Sequence, residues 1–235
     1  MTRTTDSRLP AGTIPGIIIL AILAALAVAM LRSGSTTPTD AGAGSVARDQ
    51  PDYSYAERRE PDDPFALGPV DAPVGLVVFS DYQCPFCAQW NHETMPVMEQ
   101  FANDGDLRIE WRDVNVYGPA SERAALAAFA AARQGSYWEY HDALFQGGRT
   151  RPDRDLSQEA LIELAGDLGL DRERFAADMD STAATDEIAR NEKLGMDHGA
   201  TATPVFILGG VPHVGAQPPE VFADAFQDAL RRNGG

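Results

Sequence analysis

Cysteine is nearly absent. The 235-residue chain has two, and both fall in the stretch SDYQCPFCAQW at residues 80–90. Metal-ligand patterns are missing with them: there is no second C-x-x-C and no H-x₃₋₅-H, and His92, His141, His198 and His213 are scattered. A zinc site built on the two thiols would lack half its ligands, so no metal is expected. An excess of positive charge is missing too. With 19 Lys and Arg against 35 Asp and Glu the formal net charge is −16, a balance that repels phosphates and anionic headgroups. Nucleic acid is therefore not an expected partner, and the acidic excess reads as a solvated surface. No internal repeat interrupts what is otherwise an ordinary globular composition.

A charge-free run stands near the start. Between Arg8 and Arg32 lie 23 uncharged residues, LPAGTIPGIIILAILAALAVAML. As a helix, residues 16–31 would measure roughly 24 Å, a little short of a hydrocarbon core of about 30 Å, and extension back to Thr13 closes the gap. The reading is a single transmembrane anchor over residues 14–32, with residues 1–13 cytoplasmic and the rest of the chain outside. Arg3 and Arg8 before the span favour that orientation. A cleaved secretory signal is the alternative, because Ala27-Val28-Ala29 has the small-x-small form of a cleavage site. Residues 33–64, rich in Ser, Thr, Gly, Ala, Pro and charge, have no periodicity and read as a flexible linker. The Tyr53 and Tyr55 pair within it is a candidate for docking on the domain that follows.

From residue 65 the text is α/β. VGLVVFS, beginning at Val74, reads as a strand buried on both faces, and CPFCAQWNHETMPVMEQFAN follows as a helix. LRIEWRDVNV, residues 107–116, is a second strand, which closes a β-α-β unit. ASERAALAAFAAARQ, stopped by Gly135, is a long helix, and Ser136 with Glu139 reads as a capping box for the next, SYWEYHDALF. Helices are expected at about 157–168, 172–180 and 183–197. TPVFILGG, residues 203–210, returns to strand and turns at Gly209-Gly210 into VPHVG. QPPEVFADAFQDALRR closes as an amphipathic helix with Pro218 or Pro219 in its first turn.

Both cysteines stand where strand gives way to helix. A helix N-terminus carries partial positive charge and unpaired N–H groups. Cys84 is therefore expected to have a depressed pKa and to be the nucleophile. Cys87, one turn on, can close a small disulfide with it, and Pro85 stiffens the intervening turn without leaving an N–H unpaired. Two thiols so spaced can exchange a disulfide with another protein through a mixed intermediate. A purely structural disulfide competes, although so short a ring removes little unfolded-chain entropy.

Taken together, DAPVGLVVFSDYQCPFC with Trp90, LRIEWRDVNVYG, EYHDALF and TPVFILGG resemble a DsbA-like thiol–disulfide oxidoreductase of the thioredoxin superfamily, in its membrane-anchored extracytoplasmic form. The likeness covers roughly residues 65–232. It implies a thioredoxin fold with a helical domain inserted at about 118–190, a redox-active Cys84–Cys87 disulfide in place of any cofactor, and a cis-proline at Pro204 facing the disulfide. Pro204 would turn the Thr203 backbone outward, where an extended substrate could pair with it; an ordinary loop is the plainer reading of Thr203-Pro204. Phe86 is expected to be exposed towards substrate and Trp90 to lie under the motif, while Gly215-Ala216-Gln217 either borders the substrate groove or is a plain turn. One departure stands out. The buried carboxylate that many thioredoxin-fold enzymes carry six residues before the first cysteine is Val78 here. Glu110 and Asp113 on the neighbouring strand read as surface or helix-facing residues and Asp81 as a turn residue, so no proton acceptor is assigned.

The function expected is oxidation of dithiols in exported proteins by the Cys84-Pro85-Phe86-Cys87 pair. Its partners would be unfolded exported chains with free cysteines and a membrane reoxidising enzyme, quinone-linked in similar proteins, the protein itself being a monomer. The alternatives are a reductase on the same fold, as in cytochrome c maturation, and a tethered chaperone with a structural disulfide.

Overall fold

Every residue of Val74–Ser80 is buried, and together they form strand β2. Its side chains alternate between two faces, so each face needs its own cover. The computed structural model, which describes residues 52–233, supplies both. Strand β1 (Ala66–Leu67) precedes β2. After β2 come α1 (Pro85–Glu93), α2 (Met95–Asn103) and β3 (Leu107–Asp113). Five helices follow: α3 (Pro119–Ala132), α4 (Tyr137–Leu144), α5 (Gln158–Asp167), α6 (Arg172–Met179) and α7 (Thr182–Asp197). The chain returns to the sheet as β4 (Val205–Leu208) and β5 (Val211–Val214) and ends in α8 (Pro219–Asn233).

The sheet has the order β1-β3-β2-β4-β5. β3 runs parallel to β2 from Val74↔Leu107 to Ser80↔Asp113, and the other three pairings are antiparallel. On one face Val74, Leu76, Val78, Ile109, Trp111 and Phe206 join the large core under α1, α2, α8 and the helical block. Rings close that core: Trp90 of α1 lies 4.6 Å from Phe206 of β4 and 5.4 Å from Phe222 of α8, centroid to centroid. On the other face Val77, Phe79, Val205 and Ile207 pack with Ala56, Tyr53 and Leu194. The second cover is thus the N-terminal segment together with α7. The helical block centres on α3, whose row of buried alanines lets neighbouring helices approach closely.

The β-α-β, helical insertion, β-β-α order agrees with the sequence, and the details differ in instructive ways. The helix expected from Cys84 to Asn103 is two, broken at Thr94, because Pro96 has no N–H to donate and its ring excludes the carbonyl four residues back. The strand expected to reach residue 116 stops at Asp113. Ser136 does sit at the N-cap of α4, but its side chain makes no capping hydrogen bond, so the capping box with Glu139 is not formed. The last helix of the insertion, expected at about 183–197, spans Thr182–Asp197.

The largest correction concerns the linker. Residues 33–51 and the expected anchor over 14–32 lie outside the described residues; among the described residues no helix is long and apolar enough to cross a membrane. From Asp52 to Pro64, however, the chain is bound to the domain. The Tyr53 N–H donates to the Gly210 carbonyl (2.9 Å), and Tyr55 packs at a tilt against His198 with centroids 4.8 Å apart. Glu57 lies so close over Gly75 that a Cβ there would fall 2.0 Å from its carboxylate, which explains a glycine in mid-strand.

Glu110 is the hub of this attachment. Its carboxylate accepts the backbone N–H groups of Arg58 (2.8 Å) and Arg59 (2.7 Å), and it pairs with Arg108 (3.0 Å) and Arg112 (2.8 Å). Arg112 also holds Asp63 (2.6 Å), and Arg58 reaches Glu187 of α7 (2.6 Å). Burial alone would push the Glu110 carboxyl up; Arg112, the two N–H groups and Arg108 outweigh it and hold the group below its ordinary range. Glu110 is therefore not a surface strand residue. Charge-rich sequence read as linker because charge usually means solvent, whereas here it is matched by buried arginines. Replacing Glu110 with Ala strands Arg108, Arg112 and two N–H groups, and is expected to cost about 3–5 kcal/mol, read as a lower urea midpoint. Proteolysis within residues 52–64 should accelerate in the same variant.

Candidate active site

Cys84 is the N-cap of α1, with φ −84° and ψ 116°, and Pro85 occupies the first helical position. Both cysteines are free thiols in this structure and both are buried. The approach to the motif is held by one carboxylate. Asp81 accepts the Gln83 N–H on one oxygen (2.7 Å) and the Tyr117 N–H on the other (2.9 Å), so it ties the turn before Cys84 to the loop after β3. The Cys84 N–H donates to the Asp81 carbonyl (3.0 Å). Asp81 is thus the turn residue the sequence indicated, with a second duty across the site.

Opposite the dithiol, the Thr203–Pro204 peptide bond is cis. The Cys84 thiol donates to the Thr203 carbonyl at 3.3 Å. The Thr203 hydroxyl is buried and makes no hydrogen bond in this structure, and it is near enough to the Cys84 sulfur to favour its thiolate. Gly215, with φ +80°, donates its N–H to the Pro204 carbonyl (2.9 Å), so the Gly215-Ala216-Gln217 turn borders the cis-proline. Phe86 is 58% exposed and Tyr117 53%, while Trp90 lies under the motif.

The two sulfurs differ sharply in proton affinity. Cys84 is lowered from about 9 to about 5: the Cys87 thiol contributes most, and the Thr203 hydroxyl and the N–H groups of Cys87 and Phe86 add to it, against the opposing effect of burial. Cys87 moves the other way. Burial raises it well above the ordinary thiol range, and the neighbouring Cys84 sulfur adds both a hydrogen bond and a charge. One sulfur is thus a thiolate at neutral pH and its partner a thiol that must lose a proton before it can attack.

Behind the motif, His141 of α4 is fully buried and ties the helical block to the site. Its Nε2–H donates to Asn91 of α1 (2.9 Å), so Nδ1 accepts from the Tyr82 hydroxyl (3.0 Å). Burial pushes this imidazole down to about 3, so it is neutral and structural. Among the described residues no three His, Cys, Asp or Glu are grouped to hold a metal.

Sequence reasoning placed Cys84, Pro85, Phe86, Cys87, Thr203 and Pro204 at one site, and the structure brings all six together. It missed Tyr117, whose phenol is raised chiefly by the charge of Cys84 beside it; nothing in the local pattern marks that loop. It also misjudged Asp113, which is buried at 4% exposure, although its parity with Trp111 along β3 was legible.

A thioredoxin-type sheet with a Cys-x-x-Cys at the start of a helix and a cis-proline opposite defines the class of thiol–disulfide oxidoreductases. A family model described as Thioredoxin matches residues 60–228, and the chain belongs to that family, with a helical block inserted between β3 and β4. Over 143 residues, 61% of the chain, it is 36% identical to the Na(+)/H(+) antiporter NhaA of Herminiimonas arsenicoxydans, 22% of which is covered. It is 29% identical over 151 residues to disulfide bond formation protein D of Bacillus subtilis, covering 60% of this chain and 66% of that one. A solved thioredoxin-like oxidoreductase from Silicibacter pomeroyi DSS-3 superposes with TM-score 0.63 at 29% identity, over 73% of this chain and 94% of that one. The chain spans about a quarter of the length of the first curated relatives it matches.

Thr203→Val removes the hydroxyl that stabilises the Cys84 thiolate and leaves the backbone in place. A hydrogen bond to a charged group is worth about 1.5–3 kcal/mol, so the Cys84 pKa is expected to rise by roughly 1–2 units, measured from thiolate ultraviolet absorbance against pH. An unchanged titration would show that the hydroxyl does not reach the sulfur.

Proposed function

We propose that the protein is an extracytoplasmic oxidase of protein thiols, with Cys84 as the sulfur that substrates meet and Cys87 as the one that releases them. The carrying observation is the depressed Cys84 pKa. A thiolate held near 5 exists only in the reduced protein, so whatever stabilises it favours reduction of the protein's own disulfide and hence oxidation of the substrate. The sign follows from linkage. The folded pKa lies below that of an unfolded thiol, about 8.5, so the advantage of the reduced form is fullest above that value and disappears as pH falls through about 5.

A substrate thiolate attacks Cys84 Sγ, the Cys84–Cys87 bond breaks, and Cys87 leaves with the electron pair; a second substrate thiolate then displaces Cys84. Pro85 keeps the turn stiff. Phe86, Tyr117 and Val214 present exposed apolar surface around the sulfur, suited to an unfolded chain. The Thr203 backbone beside the cis-proline offers such a chain a strand-like partner. The name of the Bacillus subtilis relative supports the oxidising direction. Reoxidation would fall to a separate, quinone-linked membrane enzyme, and an anchor over residues 14–32 would keep both reactions at one membrane face.

In a glutathione redox buffer the Cys84–Cys87 pair is expected to equilibrate as a strong oxidant, and Cys87→Ser, first converted by oxidised glutathione to its Cys84–glutathione disulfide, to accumulate covalent adducts with reduced, unfolded proteins as glutathione is displaced. Cys84→Ser should abolish oxidation of such substrates. An equilibrium as reducing as that of a cytosolic reductase would reverse the assigned direction, and full activity in Cys84→Ser would point instead to a chaperone.

A further inference from the structure

Cys87 must lose a proton to attack a mixed disulfide and regain one when it leaves, yet the usual position for a buried carboxylate holds Val78. Four acidic or apolar positions surround the question, and three are accounted for. Val78 is apolar. Glu110 spends its carboxylate on two arginines and two N–H groups on the opposite face of β3. Asp81 spends both oxygens on Gln83 and Tyr117.

Asp113 is the fourth. It shares its face of β3 with Ile109 and Trp111, the face that joins the core beneath α1, and Trp111 Nε1 donates to its Oδ1 (3.1 Å), its one side-chain hydrogen bond among the described residues. In the parallel register it stands directly beside Ser80 of β2, which points to the same face. Neighbouring strands lie about 4.8 Å apart, so the two side chains are adjacent, and a rotation of the Ser80 hydroxyl, which makes no hydrogen bond in this structure, is what would join them. That hydroxyl is buried, and it is near enough to the Cys87 sulfur to favour its thiolate. A cluster of carboxyl, orphaned hydroxyl and resolving thiol therefore lines the floor of the site, closed off from water.

We propose that Asp113 takes and returns the Cys87 proton through the Ser80 hydroxyl. This rests on the thiol–disulfide exchange argued above. When Cys87 attacks, its S–H proton passes to Ser80 Oγ as the Ser80 proton passes to Asp113; the Cys87–Cys84 bond forms and the Cys84–substrate bond breaks, the substrate leaving as thiolate. In the other direction the Cys87 thiolate is reprotonated along the same path. No outside oxidant or base is required. Asp113 touches neither substrate nor sulfur, so it is a positioning residue.

The groups facing it suit that role. Arg112 on its own strand lowers its pKa and is already paired elsewhere; Asp81 before the motif and Glu187 of α7 repel its charge; Tyr82 and Tyr137 face it as neutral phenols. Burial dominates, and lifts the carboxyl to about 7, where it can both accept and release a proton at physiological pH. Its folded pKa exceeds the unfolded value of about 3.9, so stability falls as pH rises from about 4 to about 7 and then stays lower. Asp113→Asn should therefore fold, and be more stable than the parent at pH 8.

The test follows reduced full-chain protein reacting with excess oxidised glutathione, acid-quenched and weighed by mass spectrometry, across pH 5–9. In the parent the step that releases glutathione from the mixed disulfide should rise through an inflection near pH 7. Asp113→Asn should slow that step by roughly 100-fold at neutral pH, lose the inflection and accumulate the mixed disulfide, while formation of the adduct at Cys84 keeps its rate. Ser80→Ala interrupts the path without altering the buried charge and should slow the same step. Release at the parental rate in either variant overturns the proposal, and so does faster release in Asp113→Asn, the result expected if the carboxylate only repelled the Cys87 thiolate. A parent that forms no mixed disulfide at all overturns the exchange reading itself, and the proposal with it.

Discussion

The pivot of the molecule is the unequal treatment of two sulfurs one helical turn apart. Cys84 takes its position from the end of β2 and faces the Cys87 thiol, the Thr203 hydroxyl and two N–H groups, which together favour negative charge over the opposing effect of burial. Cys87 looks inward to a floor of strands that disfavours it. The difference exists only because α1 begins where it does and lies over a sheet whose other face is sealed. A β2 open to water on the face beneath α1 would hydrate Cys87 and level the pair. The helical block matters for the same reason: through His141 and Tyr82 it shuts the rear of the site.

The second face of the sheet makes this possible in an unusual manner. Where many sheets are covered by helices alone, here part of the cover is the N-terminal segment, and it is held by charge as well as by the apolar contacts of Tyr53 and Ala56. Glu110 does not act through a strong individual pair. Once Arg108 and Arg112 are enclosed they need a common acceptor, and the two N–H groups of Arg58 and Arg59 complete its shell. Such a network contributes little over an apolar isostere, but it tolerates no missing member and so imposes one register on the segment.

Four of the five strands could be read from the chain because apolar runs and turn glycines are local signals, whereas Ala66–Leu67 is too short to show a period; the reactive pair could be read because strand, Cys-x-x-Cys and helix are contiguous. The cis-proline was reached by resemblance, since no property of Thr203-Pro204 alone distinguishes it from a loop. What escaped were cases where charge is buried by distant partners. Residues 52–64 look solvated until Glu110 is placed beneath them, and Asp113 looks like a surface residue until the parallel pairing sets it beside Ser80. Parity along β3 was sufficient to align Asp113 with Trp111. Only the three-dimensional cover over that end of the strand shows that no water reaches it. Tyr117, fixed by Asp81 across a loop, has no local signature at all.

The way the chain enters the domain has an orientational result. Tyr53 is fastened to Gly210, and Gly209 in turn to Gly75, at the beginning of β2, whereas Cys84 lies past that strand's far end. The separation is on the order of 20 Å at about 3.3 Å per residue. Within the domain, the backbone contact that seats the N-terminal segment and the reactive sulfur consequently occupy opposite ends of one strand, so either can be altered without touching the other.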